Sequence, residues 1–158
     1  MQRPPPFERE ELLSASEPLF TQSREVRFQE VDAALTIYFP RVLEHFSDAY
    51  LAMLQAGGVD VPRLLRENAW VAPLVHAEAD YLGPMRFGDA ISVEVVRTKV
   101  GETSYSVGYR TRSADGKRTL AIGHTTHVIV DGTTFKPKKI PDDVRRALFE
   151  GVLRERPR

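Results

Sequence analysis

The chain has 158 residues, enough for one domain with a real core, and its 22 Lys and Arg offset 22 Asp and Glu to a formal net charge of zero. That balance gives no ground for attraction to nucleic acid or to an anionic membrane, and no apolar run approaches the ~20 residues that span a bilayer. The absence of cysteine excludes disulfides, thiol nucleophiles and zinc–thiolate sites, and suits a cytoplasmic protein.

The N-terminal "MQRPPPFEREELLSASEP" has no apolar core of a signal peptide. Its prolines and charges predict an extended or flexible arm over residues 1–22, with a short helix possible in "FEREELLS". "SREVRFQ", 23–29, alternates like a strand with Val26 and Phe28 on one face. Val42, Leu43, Phe46, Ala49, Tyr50, Met53 and Leu54 recur at three- and four-residue steps and predict a buried helix over about 40–56. Pro40 suits its first turn, and Gly57 and Gly58 its end.

A connector with room for one short helix follows, then four strand-like runs over 71–81, 89–100, 103–113 and 118–131. "VGET" and "SADGKR" are hairpin-length, so the last three runs are expected to be antiparallel neighbours. "IPDDVRRALFEGV" starts a terminal helix with proline and two acids, and 153–158 reads as a flexible tail. One helix covers one face of such a sheet. The other face is expected to be solvated or shared with a partner.

The chemistry gathers before the long helix. Asp32 precedes a helix start, where a carboxylate either caps a turn or serves as nucleophile or general base on a carbonyl. Free N–H groups and the dipole at a helix N-terminus suit a developing oxyanion. Glu30, two positions earlier, would share Asp32's face on a strand and raise one pKa by repulsion, or be a solvated acid. Glu44 on the helix is the fallback acid. His124 and His127 are three apart on a strand and so on opposite faces, which is no metal setting. "GETSYS" lacks the elbow context of a serine hydrolase. Arg86, Arg110, Arg112, Lys136, Lys138 and Lys139 either hold phosphates or are solvated surface charges.

The segment "FQEVDAALTIYFPRVLE", the run "ADYLGPMRFGDAISVEVVRTKVGETSYSVGYR" with its Tyr, Pro, Gly-Asp and Gly-x-x-Ser landmarks, and "AIGHTTHVIVD…KPKKIPDDVRRAL" together resemble the 4-hydroxybenzoyl-CoA thioesterase-like group of hotdog proteins. "DAYLAMLQAGGVD" and "PLVHA" look most similar to its 1,4-dihydroxy-2-naphthoyl-CoA thioesterases. The resemblance implies an α+β hotdog domain over 23–152, with an antiparallel sheet wrapped around one long helix. It implies a metal-free, cofactor-free hydrolase of an aromatic acyl-CoA, working as a homodimer or homotetramer.

By the same resemblance Asp32 is the catalytic acid, and the backbone N–H of Phe39 is the oxyanion donor. Thr103 and Ser104 face the subunit junction, and His76 touches the acyl ring unless it is a hydrogen-bonded sheet histidine. Tyr38, Phe39, Tyr81, Met85 and Phe87 either line an acyl pocket or belong to the core, and of these Tyr38 is the site candidate. The family's glycine three residues after the acid is Leu35 here, which changes the loop or adds apolar bulk at the acyl site. That departure keeps a binding-only acyl-thioester protein in view. A dehydratase or hydratase would need a histidine near the acid, and "DAALTIYFP" has none.

Overall fold

A computed structural model describes residues 4–150. In chain order its elements are α1 (Arg9–Leu13), β1 (Phe20–Glu25), a 3-10 turn (Phe28–Glu30), α2 (Pro40–Ala56), α3 (Val61–Glu67), β2 (Trp70–Val71), β3 (Leu74–Tyr81), β4 (Ala90–Val100), β5 (Ser104–Ser113), β6 (Thr119–Val128), β7 (Val130–Asp131) and α4 (Asp142–Glu150). Five strands form one antiparallel sheet in the order β1-β4-β5-β6-β3, and β2 pairs with β7 apart from it. The sheet packs on α2, the α+β hotdog arrangement expected.

Alternation along the strands divides the sheet into two faces. Tyr105, Val107 and Tyr109 of β5 point inward with Val93 and Val95 of β4, and meet Val42, Phe46, Ala49 and Met53 of α2 in one buried core. Phe46 stacks on Tyr109 with ring centroids 4.6 Å apart. Gly123 of β6 has no side chain because Phe46 and the β3 backbone fill the space where a Cβ would stand. Beside this core a polar chain is threaded through β5 and β6. The Tyr109 hydroxyl donates to Thr125 Oγ1 at 2.9 Å, Thr125 to His127 Nε2 at 3.1 Å, and His127 Nδ1 to the Ala72 carbonyl at 3.3 Å. Burial lowers the His127 pKa, which keeps the ring neutral and fits this order of donors.

Three expectations need correction. The first concerns residues 1–22. From Phe7 onward this stretch is packed: α1 lies on the outer sheet face, where Phe7, Leu12 and Ala15 bury against Val96 and Ile122. Gly108 lets it approach, since a Cβ there would stand 2.5 Å from Leu12 Cδ2. Arg110, ion-paired to Glu94 at 2.7 Å, donates to the Leu13 and Ala15 carbonyls and ties the segment down. The second follows from it: the face thought to await solvent or a partner is partly covered by the chain's own N-terminus. The expected tail at 153–158 lies outside the described residues.

The third concerns the first strand, which spans 20–25 rather than 23–29. Val26 is fully buried but Phe28 is 75% exposed, because the chain leaves the ladder for the 3-10 turn. Glu30 makes that turn. Its carboxylate accepts the Arg27 N–H at 2.8 Å, the Arg24 guanidinium at 3.1 Å, the Arg27 guanidinium at 3.3 Å and His45 Nε2 of α2 at 3.0 Å. It is 2% exposed, and it does not share a strand face with Asp32. Burial alone would raise its pKa, but the Arg27 N–H, His45 and Arg24 outweigh this and hold it at about 2. Burial likewise lowers the His45 pKa, with Glu30 opposing, so His45 donates as a neutral ring.

Both shifts are downward. The stability they contribute is therefore present at neutral pH and lost on acidification: for His45 as pH falls below 6.5, for Glu30 between 4.5 and about 2. Glu30→Gln should cost on the order of 3 kcal/mol in urea unfolding at pH 7, and much less at pH 3. An equal loss at both pH values would show that the Glu30 charge is not what holds this turn.

Candidate active site

Residues 30–38 form a tight hairpin-like loop. The Tyr38 N–H donates to the Glu30 carbonyl at 2.8 Å, Val31 bridges Ile37, and the Asp32 N–H donates to the Thr36 carbonyl at 3.0 Å. Ile37 also donates to the Met85 carbonyl at 2.8 Å, which fixes the loop to the segment before β4. The buried Glu30 anchors one leg and α2 continues from the other, so Asp32 is presented in solvent on a braced backbone.

Asp32 accepts the Ala34 N–H on Oδ1 at 2.8 Å, an Asx turn that leaves Oδ2 without a donor among the described residues. Leu35 stands in the left-handed region, with φ 61°. It thus follows the backbone path that a glycine adopts freely, at a cost of about 1–2 kcal/mol for a residue with a Cβ. Its side chain is 72% exposed. The leucine thus adds exposed apolar surface at the loop.

Phe39 has helical backbone angles and caps α2 without any side-chain cap. Pro40 has no N–H, and Arg41 and Val42 donate to the carbonyls of Tyr38 and Phe39. The Phe39 N–H has no acceptor among the described residues, which leaves it open at the positive end of the helix dipole. Tyr38 packs edge-on against Phe39 with centroids 5.1 Å apart and is 45% exposed. Tyr81, expected to be core rather than site, is 46% exposed. Its hydroxyl, at the end of β3, donates to the Phe39 carbonyl at 2.7 Å and so ties the edge strand to the helix start.

The other expected site residues lie elsewhere. Thr103 immediately precedes β5 and Ser104 begins it, at the opposite end of the sheet; the Thr103 carbonyl accepts from Ile129, and Ser104 is buried with an Oγ that finds no partner among the described residues. His76 is on the outer sheet face, 3.2 Å from Glu78. It lies five residues along β3 from Tyr81, roughly 17 Å at strand rise. At this far end is a cavity of about 270 Å³ lined by Tyr50, Leu54, Leu64, Trp70, Ala72 and His127. Within one chain, then, the structure groups Asp32, Leu35, Tyr38 and Phe39, and separates them from His76, Thr103 and Ser104.

The fallback acid Glu44 is engaged with Arg41 at 2.7 Å on the surface. Among the basic residues, Arg110 is buried and structural, Arg112 bonds the Gly116 carbonyl, Lys138 the Ala69 carbonyl, and Lys139 pairs with Glu102. Arg86, exposed beside Met85 near the loop, and Lys136 have side chains without a partner among the described residues. No helix among the described residues is long and apolar enough to cross a membrane.

Comparison with known proteins agrees with this geometry. Residues 26–148 match the family model described as "Thioesterase-like superfamily". A 1,4-dihydroxy-2-naphthoyl-CoA hydrolase of Nostoc punctiforme is 32% identical over 145 residues, covering 88% of this chain and 97% of that protein. One from Trichodesmium erythraeum is 30% identical, covering 82% and 95%. The crystal structure of a 1,4-dihydroxy-2-naphthoyl-CoA thioesterase from Synechocystis superposes with a TM-score of 0.77 at 25% identity, over 82% of this chain and 94% of that one. A sheet wrapped on one helix, an acid in the loop before it, and kinship over nearly the whole length lead to one statement: the chain belongs to the thioesterase-like superfamily of hotdog proteins.

Proposed function

We propose that this protein hydrolyses an aromatic acyl-CoA to the free acid and CoA, with 1,4-dihydroxy-2-naphthoyl-CoA the first substrate to test. The observation that carries the reading is the pairing of Asp32, exposed with one free carboxylate oxygen, with an open Phe39 N–H at the start of α2. It occurs in a chain related over most of its length to hydrolases of that thioester.

The thioester carbonyl oxygen sits on the Phe39 N–H, where the helix dipole stabilises the charge that develops. Asp32 Oδ2 then acts in one of two ways. As nucleophile it forms an acyl–aspartyl anhydride, expels CoA thiolate, and is freed when water hydrolyses the anhydride. As general base it takes a proton from the attacking water, and the tetrahedral intermediate expels the thiolate. Tyr38 and Leu35 supply apolar surface to the aromatic acyl group, and Arg86 is placed for a CoA phosphate. The absence of cysteine suits a cytoplasmic setting.

The site is shared between subunits. β3 is an edge strand with unpaired backbone groups, and two β3 edges joined antiparallel about a two-fold axis form a continuous sheet. Such pairing sets the Tyr81–Phe39–Asp32 end of one subunit beside the Leu74 end of the other. There Pro73 bonds Val128, Val128 pairs with Ser104, and the apolar cavity opens. Two such dimers make a tetramer. Leu35 keeps the turn a glycine would make, which weakens a binding-only reading. His45, the histidine nearest the loop in sequence, is buried against Glu30, which leaves a hydratase without its second group.

Three outcomes are expected. Asp32→Asn should lose at least ~10²-fold in thiol release from 1,4-dihydroxy-2-naphthoyl-CoA with little change in thermal unfolding; full activity would remove Asp32 from the mechanism. Leu35→Gly should widen the acyl groups accepted in an acyl-CoA panel. Its unfolding free energy should stay within about 1 kcal/mol of the parent, because relief of the left-handed strain offsets the added backbone freedom. Identical substrate profiles would show that Leu35 points away from the acyl group. Finally, mixing Asp32→Asn subunits with subunits altered only at Ser104 should restore part of the activity lost in each, since one mixed junction is whole. A fully active monomer in sedimentation at assay concentration would end the shared-site account.

A further inference from the structure

On the outer sheet face, away from the Asp32 loop, three side chains converge. His76 and Glu78 of β3 are two apart and so on one face, and Glu78 stands directly across the ladder from His124 of β6. His76 Nε2 is 3.2 Å from Glu78 Oε2, and His124 Nδ1 is 3.0 Å from Glu78 Oε1. One ligand atom from each of the three lies within 4.8 Å of the other two. Reading the strand positions alone missed this, because it compared His124 only with His127 in sequence and not with its neighbour across the ladder.

The cluster is built rather than incidental. The His124 side chain is 2% exposed, held edge-on against Phe7 at 5.7 Å and covered by His76 at 4.9 Å. Its Nδ1 faces Glu78 Oε1 at 3.0 Å but makes no aligned hydrogen bond among the described residues. A structure that places an imidazole this deeply and leaves its ring nitrogen unsatisfied needs a reason. The surrounding charges are accounted for. Asp80, next on the same face, pairs with Arg9 at 3.0 Å. Lys99, lying over the Phe7 ring, is held by Glu11 and the Pro6 carbonyl.

We infer that His76, Glu78 and His124 form a binding site for a divalent transition ion, with Zn²⁺ the ion best suited and a fourth coordination position open to solvent. Two imidazoles and one carboxylate suit zinc and its neighbours, and exclude calcium and magnesium, which take oxygen ligands. Ligand atoms around tetrahedral zinc sit about 3.3 Å apart, from bond lengths of about 2.0–2.1 Å. The spacings to the two Glu78 oxygens, 3.2 and 3.0 Å, already match this, and rotation of the exposed His76 and Glu78 side chains brings the remaining pair, within 4.8 Å, to the same distance. The ion would clip edge strand β3 to β6. All three side chains leave the sheet from its face, so edge pairing of β3 does not compete with them.

The test is zinc titration of the purified, chelator-treated full chain by calorimetry, with cobalt(II) absorption in the visible as a second readout and Mg²⁺ and Ca²⁺ as comparison ions. One Zn²⁺ per chain is expected, with a four-coordinate cobalt spectrum, a rise in melting temperature on adding zinc, and no response to Mg²⁺ or Ca²⁺. His76→Ala and Glu78→Gln alter exposed side chains and should fold by circular dichroism. Each should weaken zinc at least ~10-fold and lose the melting shift. The inference is overturned by absence of saturable binding in the parent, or by unchanged affinity in both variants, which would put the ion elsewhere.

Discussion

The buried carboxylate of Glu30 is the constraint on which the site depends. Removing a charge from water costs several kcal/mol, and only a full set of partners returns it. Here the set is a backbone N–H, two guanidinium groups and a helix imidazole, drawn from three parts of the architecture. Arg24 belongs to the edge strand β1, Arg27 to the turn itself, and His45 to the second turn of α2. The carboxylate therefore fixes where the strand, the loop and the helix meet. Its own carbonyl then receives Tyr38, which closes the loop carrying Asp32. An acid that works in solvent is positioned by one that never sees solvent.

Leucine at position 35 shows how local preference yields to its surroundings. A branched side chain at φ 61° is unfavourable, yet the neighbouring bonds leave little choice. Leu35 donates to the Asp32 carbonyl, Asp32 to Thr36, and Ala34 to the Asp32 side chain. Three hydrogen bonds within five residues specify the turn whichever residue occupies it. The result is an apolar group held out at the lip of the loop, where glycine would offer only backbone.

Much of the fold was legible in the sequence because its signals were periodic. The long helix runs Pro40–Ala56, as the spacing of its apolar residues and the proline and glycines at its ends required. The three hairpin strands follow their turn residues. What was not legible depended on contacts distant in sequence. Nothing near Glu30 says that His45 will meet its carboxylate, so a strand pattern continued on paper through Phe28 where the chain turns. Nothing in a proline-rich start says that Gly108, about a hundred residues on, leaves a seat for Leu12. The site divides the same way. Asp32, Tyr38 and Phe39 are neighbours in sequence and were found together, with the family resemblance supplying their roles. Tyr81 and the His76–Glu78–His124 group depend on strand register, which one sequence does not reveal.

The covered outer face has a consequence for synthesis. The segment around Phe7 and Leu12 leaves the ribosome about a hundred residues before the surfaces it packs on, Gly108 of β5 and Ile122 of β6. β1 waits similarly for β4, its neighbour in the sheet. For most of translation the N-terminal apolar side chains therefore have nothing native to cover, and closing so long a loop is among the slower steps a small domain can face. The prolines and acidic residues around Phe7 and Leu12 then have a use before folding. They keep the waiting segment soluble and discourage strand formation until the sheet that receives it exists.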